Sequence, residues 1–103
     1  MPVTLSPLRY PGGKSQLFPL VIEIMRTNDL FYGEYIEPFA GGAGIACKLL
    51  LEGYVSHIHL NDLDPAIYSF WWAILNEPER FCRRVESVKV TLEEWRRQKR
   101  LLA

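Results

Sequence analysis

A glycine-rich bend between a short apolar stretch and a helical one limits most strongly how this chain can fold. Tyr35-Ile36-Glu37 reads as a short buried strand ended by Pro38, and Gly41 to Gly44 supplies a tight turn. From about Gly44 to Leu51, Ile45, Leu49 and Leu50 fall on one side of a helix that runs out near Gly53, a good residue just past a helix end. The pattern then repeats. Val55 to Leu60 reads as a second strand, with His57 and His59 alternating with Ile58 and Leu60 and therefore on the less buried face. Asn61-Asp62 closes it. Asp64 is placed to cap a third helix with Pro65 at its first position. Strands that alternate with helices imply parallel pairing through helical crossovers, an α/β fold.

The flanking segments extend this order. Residues 1–11 read as an extended segment ending in a turn. Gly12-Gly13 then opens a helix to about Thr27, with Leu17, Leu20, Val21, Ile24 and Met25 at helical spacing and Asn28-Asp29 as its stop. Ile67, Phe70, Trp71, Ile74 and Leu75 form the apolar face of the third helix. Asn76-Glu77-Pro78-Glu79 has capping-box spacing and starts another helix through about Val88; Thr91-Leu92-Glu93-Glu94 repeats the signature for the last one. Two strands alone make a poor sheet, so the sequence reads as the first part of a larger α/β domain, truncated before its sheet is complete.

Composition narrows the class. A chain of 103 residues, 49% of them apolar, is one domain at most and able to bury a core. A net charge of +0 argues against a uniformly basic nucleic-acid-binding surface. Cys47 and Cys82 lack a CxxC pattern and suggest neither a disulfide scaffold nor a zinc site. There is no signal-peptide pattern and no apolar run near the roughly 20 residues a bilayer span needs. The expectation is a soluble cytoplasmic domain with no membrane partner.

The chemistry lies in three motifs: Leu8-Arg9-Tyr10-Pro11-Gly12-Gly13-Lys14, Glu37-Pro38-Phe39-Ala40-Gly41-Gly42-Ala43-Gly44, and Asn61-Asp62. Open α/β sheets bind ligands beyond the carboxyl ends of their strands, where glycines let the backbone come close. Asp62, 20 residues after Gly42, sits where a carboxylate can accept hydrogen bonds from ribose hydroxyls. The dinucleotide pattern G-x-G-x-x-G fails at Cys47, and a P-loop fails because Leu8 stands where its first glycine belongs. Lys14 at a helix start opposes the helix dipole, which suits a lysine whose charge serves a ligand carboxylate. Taken singly, each has a plainer reading: the glycines as a simple turn, Asp62 as a turn residue, Lys14 as a solvated surface residue and Tyr10 as a rim aromatic. Arg96, Arg97, Lys99 and Arg100 read first as a solvated helix face with Glu93 and Glu94 as partners, and second as phosphate contacts.

Together, Tyr10-x-Gly-Gly-Lys14, Glu37-Pro-Phe-x-Gly-x-x-Gly44 and Asn61-Asp62 resemble the adenine-N6 DNA methyltransferases typified by the bacterial Dam methylases, the D12 class. The resemblance covers about residues 5–75; residues 75–103 resemble the helical tail leading to that family's DNA-recognition region. It implies a partial Rossmann-like methyltransferase domain, S-adenosylmethionine as cofactor, DNA as partner and no metal. On this resemblance Tyr10 and Lys14, with Gly12 and Gly13 between them, match the cofactor-binding aromatic residue and lysine, Tyr10 standing for the more usual tryptophan. Asp62 matches the acid that holds the ribose, and Gly41, Gly42 and Gly44 match the loop beside the methionine moiety; Glu37, Pro38 and Phe39 of the same motif are expected to join the cofactor site, Glu37 as a polar strand end or as a residue that steadies the loop. One departure stands out. The family's catalytic Asp-Pro-Pro-Tyr is absent, because Asp64-Pro65 continues as Ala66-Ile67 and lies too early. The expectation is therefore an N-terminal cofactor-binding part, residues 1–103, with no catalytic residues of its own and no activity alone. The alternative is a non-catalytic binding or interaction module, such as half of a split enzyme that needs a second chain.

Overall fold

The computed structural model describes residues 5–8, 10 and 13–102. They form two compact units, the first ending at Leu63 and the second beginning at Asp64.

The first unit opens with a 3-10 turn, Ser15–Leu17, that leads into α1, Phe18–Thr27, with Pro19 in its first turn. The sequence places this helix start at Gly12-Gly13. Gly12 lies outside the described residues, and Gly13 and Lys14 precede the 3-10 turn. The Asn28-Asp29 stop is as expected. Asp29 takes a left-handed φ of 55°, and the Asp29 and Leu30 N–H groups bond back to the carbonyls of Arg26 and Met25. These bonds satisfy carbonyls that the helix end leaves open.

Strand β1, Glu34–Glu37, pairs in parallel with β2, His57–Leu60, with Tyr35 opposite Ile58 and Glu37 opposite Leu60. Between them runs α2, Gly44–Leu51. It ends as its sequence demands. Gly53 has φ 79°, its N–H bonds to Leu50, and the Tyr54 N–H bonds to Leu49 at 2.8 Å. This paired arrangement needs a left-handed residue at the Gly53 position.

The core of this unit is Phe18, Ile22, Met25, Ile45, Leu49 and Val55, with Tyr35, Tyr54 and Ile58 packed against it. Tyr35 and Ile58 thus define the inner face of the sheet, and Glu34, Ile36, His57 and His59 the outer one. The histidines lie on the exposed face, as expected. Strand β1 is not the buried strand expected from its residues: Ile36 is 66% exposed, because alternation turns it away from α1 and α2. Leu50 is also exposed, since it is one residue past Leu49 and rotated about 100° around the helix.

The second unit holds α3, Pro65–Asn76, α4, Pro78–Ser87, and α5, Leu92–Leu102. Asp64 caps α3, its side chain accepting from the Ala66 N–H at 2.9 Å, with Pro65 first in the helix. Trp71 is buried, whereas Trp72 and Leu75 are exposed. Phe70 stands edge-on to both Trp71 and Phe81. Asn76 does not cap α4, contrary to the capping-box expectation. Its side chain donates to the Trp72 carbonyl and closes α3, and Glu77 takes the cap position because Pro78 fixes the first turn. Thr91 does cap α5, accepting from the Glu94 N–H at 3.1 Å. The Glu94 carboxylate turns instead to Arg97 and Gln98, and those hydrogen bonds hold it down at about 2. Mixed helices and strands with a parallel two-stranded sheet are therefore established.

Candidate functional site

At the carboxyl end of β1 the chain turns through Pro38 to Ala43 into α2. Gly41 takes φ 51° and Ala43 φ 49°, so the turn contains two left-handed residues of which only one is glycine. The second strand stitches this turn in place. Asn61 accepts from the Ala40 N–H at 2.8 Å and donates to the Glu37 carbonyl at 2.9 Å. The Asp62 carboxylate accepts from the Gly41 N–H at 2.9 Å. A buried amide paired with a carboxylate makes a strong bond, so Asp62 fixes the path of the glycine turn.

Ala43 offers no side chain to cap α2. The Glu37 carboxyl, at the end of β1, lies near the Ala46 N–H in the first turn of the helix and near the Tyr35 hydroxyl, and both favour its charged form. A negative charge at a helix N-terminus is favoured by the helix dipole. Burial pushes the Glu37 carboxyl above its ordinary value, against the lowering effect of Tyr35, the Ala46 N–H and the nearby Lys14 charge. Burial, then Glu37's charge, likewise pushes Tyr35 up to about 12 and raises Cys47.

These elements surround a cleft of about 700 Å³, lined by Tyr10, Gly13, Lys14, residues 35–45 and Asp62, with Ser6 and Leu8 on its N-terminal side. That volume lies within the roughly 300–1,000 Å³ of small-molecule sites. The structure thus gathers Tyr10, Gly13, Lys14, Glu37, Pro38, Phe39, Gly41, Gly42, Gly44 and Asp62 around one space; Gly12 lies outside the described residues. Sequence reasoning missed Tyr35, Ser6 and Leu8 as wall residues. Tyr35 was findable, because it lies two residues before Glu37 and shares its face of the strand. No group of three or more metal-binding side chains occurs among the described residues. No described helix is long and apolar enough to cross a membrane.

No curated protein and no solved structure matches the chain. The family model for the D12 class N6 adenine-specific DNA methyltransferase matches residues 10–100. That match takes in the glycine turn, both strands, α3, α4 and most of α5, and the chain belongs to the D12 class of N6 adenine-specific DNA methyltransferases.

Proposed function

We propose that the cleft of the first unit holds S-adenosylmethionine, and that residues 1–103 serve as the cofactor-binding part of an adenine-N6 DNA methyltransferase. The observation that carries this reading is the meeting of Tyr10, Lys14, Glu37, the glycine turn and Asp62 around one cleft. The chemistry of these groups fits the cofactor. Carboxylates at Glu37 and Asp62 suit ribose hydroxyls and an ammonium group, Lys14 suits a carboxylate, and the Tyr10 and Phe39 rings suit a flat base. When bound, S-adenosylmethionine supplies a methyl group on a positively charged sulfur for transfer to an adenine amino nitrogen. The part of this chain is to position that cofactor by holding the turn at Gly41 and the start of α2 rigid.

The 103 residues contain no Asp-Pro-Pro-Tyr. The chain by itself therefore makes no methyladenine, and methylated DNA produced by the pure chain would contradict this. A second reading, a non-catalytic module that docks on another chain carrying that motif, draws on the exposed Ile36 and Phe39 and on the outer edges of β1 and β2, unpaired among the described residues. Methylation that appears only when such a chain is added would favour it.

Calorimetric titration tests the cofactor reading. Saturable binding by the wild-type chain is expected, weakened about tenfold or more by Asp62→Ala and by Lys14→Ala, as lost charge-assisted hydrogen bonds imply. A folded wild-type chain that takes up no S-adenosylmethionine would contradict it.

A further inference from the structure

Glycines in a ligand-binding turn are ordinarily explained by the ligand, which a Cβ would obstruct. In this cleft the chain itself occupies that space. A Cβ on Gly42 would lie 2.9 Å from the Tyr10 Cβ and 3.0 Å from the Leu8 carbonyl oxygen. A Cβ on Gly41 would lie 2.9 Å from Cε1 and 3.0 Å from Cδ1 of the Tyr10 ring. The Leu8 oxygen is backbone and is braced: the Ser6 hydroxyl donates to it at 3.2 Å and accepts from the Leu8 N–H at 3.1 Å. From the other side Asp62 holds the Gly41 N–H. The Leu8 carbonyl therefore cannot yield to a Gly42 side chain by itself, and the segment has to move as a unit.

We infer that Gly41 and Gly42 are the receptor for the N-terminal segment carrying Ser6, Leu8 and Tyr10. This segment is a strap that docks on the turn through the space left by two missing side chains. Docked, it forms one wall of the cleft, so cofactor affinity depends on it. That last clause rests on the S-adenosylmethionine reading; the docking does not. The sequence separation of Tyr10 and Gly41 hides the pairing from any local motif. It also gives Gly42 a reason to be glycine without a left-handed backbone, since only Gly41 and Gly53 among the described glycines have positive φ.

The test compares the full wild-type chain with Gly42→Ala. Gly33→Ala serves as control, where a Cβ meets only the Leu30 carbonyl oxygen at an ordinary 3.5 Å. Proton NMR of the wild type and the control shows cross-relaxation between the Tyr10 ring and the Gly41 Hα atoms. In Gly42→Ala these signals vanish while the Leu49 methyl resonances stay in place. Absence of the signals from the wild type, or their survival in Gly42→Ala, overturns the strap. S-adenosylmethionine binds Gly42→Ala at least tenfold more weakly than the control; equal affinity overturns the coupling. Should the wild type fail to bind the cofactor while the ring signals behave as stated, the cofactor reading fails and the strap stands. Tyr10→Ala provides a second route if Gly42→Ala does not fold. It uncovers the turn without crowding it, so the Gly41 and Gly42 amides exchange faster with solvent, and unchanged exchange overturns the docking.

Discussion

Glu37 shows how one residue can serve structure and site together. It ends β1, lies beside the first turn of α2 and faces the cleft, and its carboxyl is raised by burial. The sign of its pH effect follows. Between the ordinary carboxylate value of 4.5 and the raised one, the folded chain holds more proton than the unfolded chain. Its stability contribution is full below the ordinary value and is lost as pH rises through the raised one. Denaturant unfolding across that window should show the decline in the wild type and a flatter profile in Glu37→Gln. Tyr35 reports the same pairing at the alkaline end. Ultraviolet titration should show a phenolate forming at about 12, and Tyr35→Phe should remove that step. A wild-type titration complete near 10 would contradict the burial and the Glu37 pairing. At this scale the sequence told which residues are chemical and not what they touch. Asp62 is read as a ribose ligand from its spacing, yet within the chain its carboxylate accepts from the Gly41 N–H.

Among the elements, the ends of helices were the most legible features, because a cap is settled by two or three neighbours. Asp64-Pro65 starts α3 and Gly53 ends α2 as their residue types require. Asp64→Ala should therefore cost about 1 kcal/mol of stability in the unit that contains α3, measured by urea unfolding, and Asp64→Asn much less. An alanine variant as stable as wild type would mean that the cap is not worth its geometry. The failures have equally local causes. At Asn76-Glu77-Pro78 two helix signals overlap, and the proline decided the start one residue later than the capping-box spacing suggests. In β1, three residues cannot say which alternate face meets the core, so Ile36 was expected inside and is exposed. The nearness of Glu37 to the start of α2 was invisible for another reason: Glu37 and Ala46 approach only because Gly41 and Ala43 reverse the chain between them.

Across the whole molecule, strand–helix alternation predicted the parallel pairing of β1 with β2, and the three motifs predicted the family. Burial is concentrated in the first unit, where Leu49 is the largest side chain with no exposure. Leu49→Ala should cost about 2–5 kcal/mol, enough to threaten a small core, and should abolish cofactor binding along with the fold of α2. The second unit buries little beyond Trp71, and its helices keep Val85, Trp95 and Leu101 exposed. The function proposed for the first unit requires that its cleft hold the cofactor. The most direct measurement is a ¹H–¹⁵N NMR titration of the full chain with S-adenosylmethionine. Saturable shifts concentrated at Gly13, Lys14, Gly41, Gly42, Gly44 and Asp62 are expected, with α4 and α5 unmoved. A well-dispersed spectrum that does not change, or shifts confined to α3 through α5, would contradict that function.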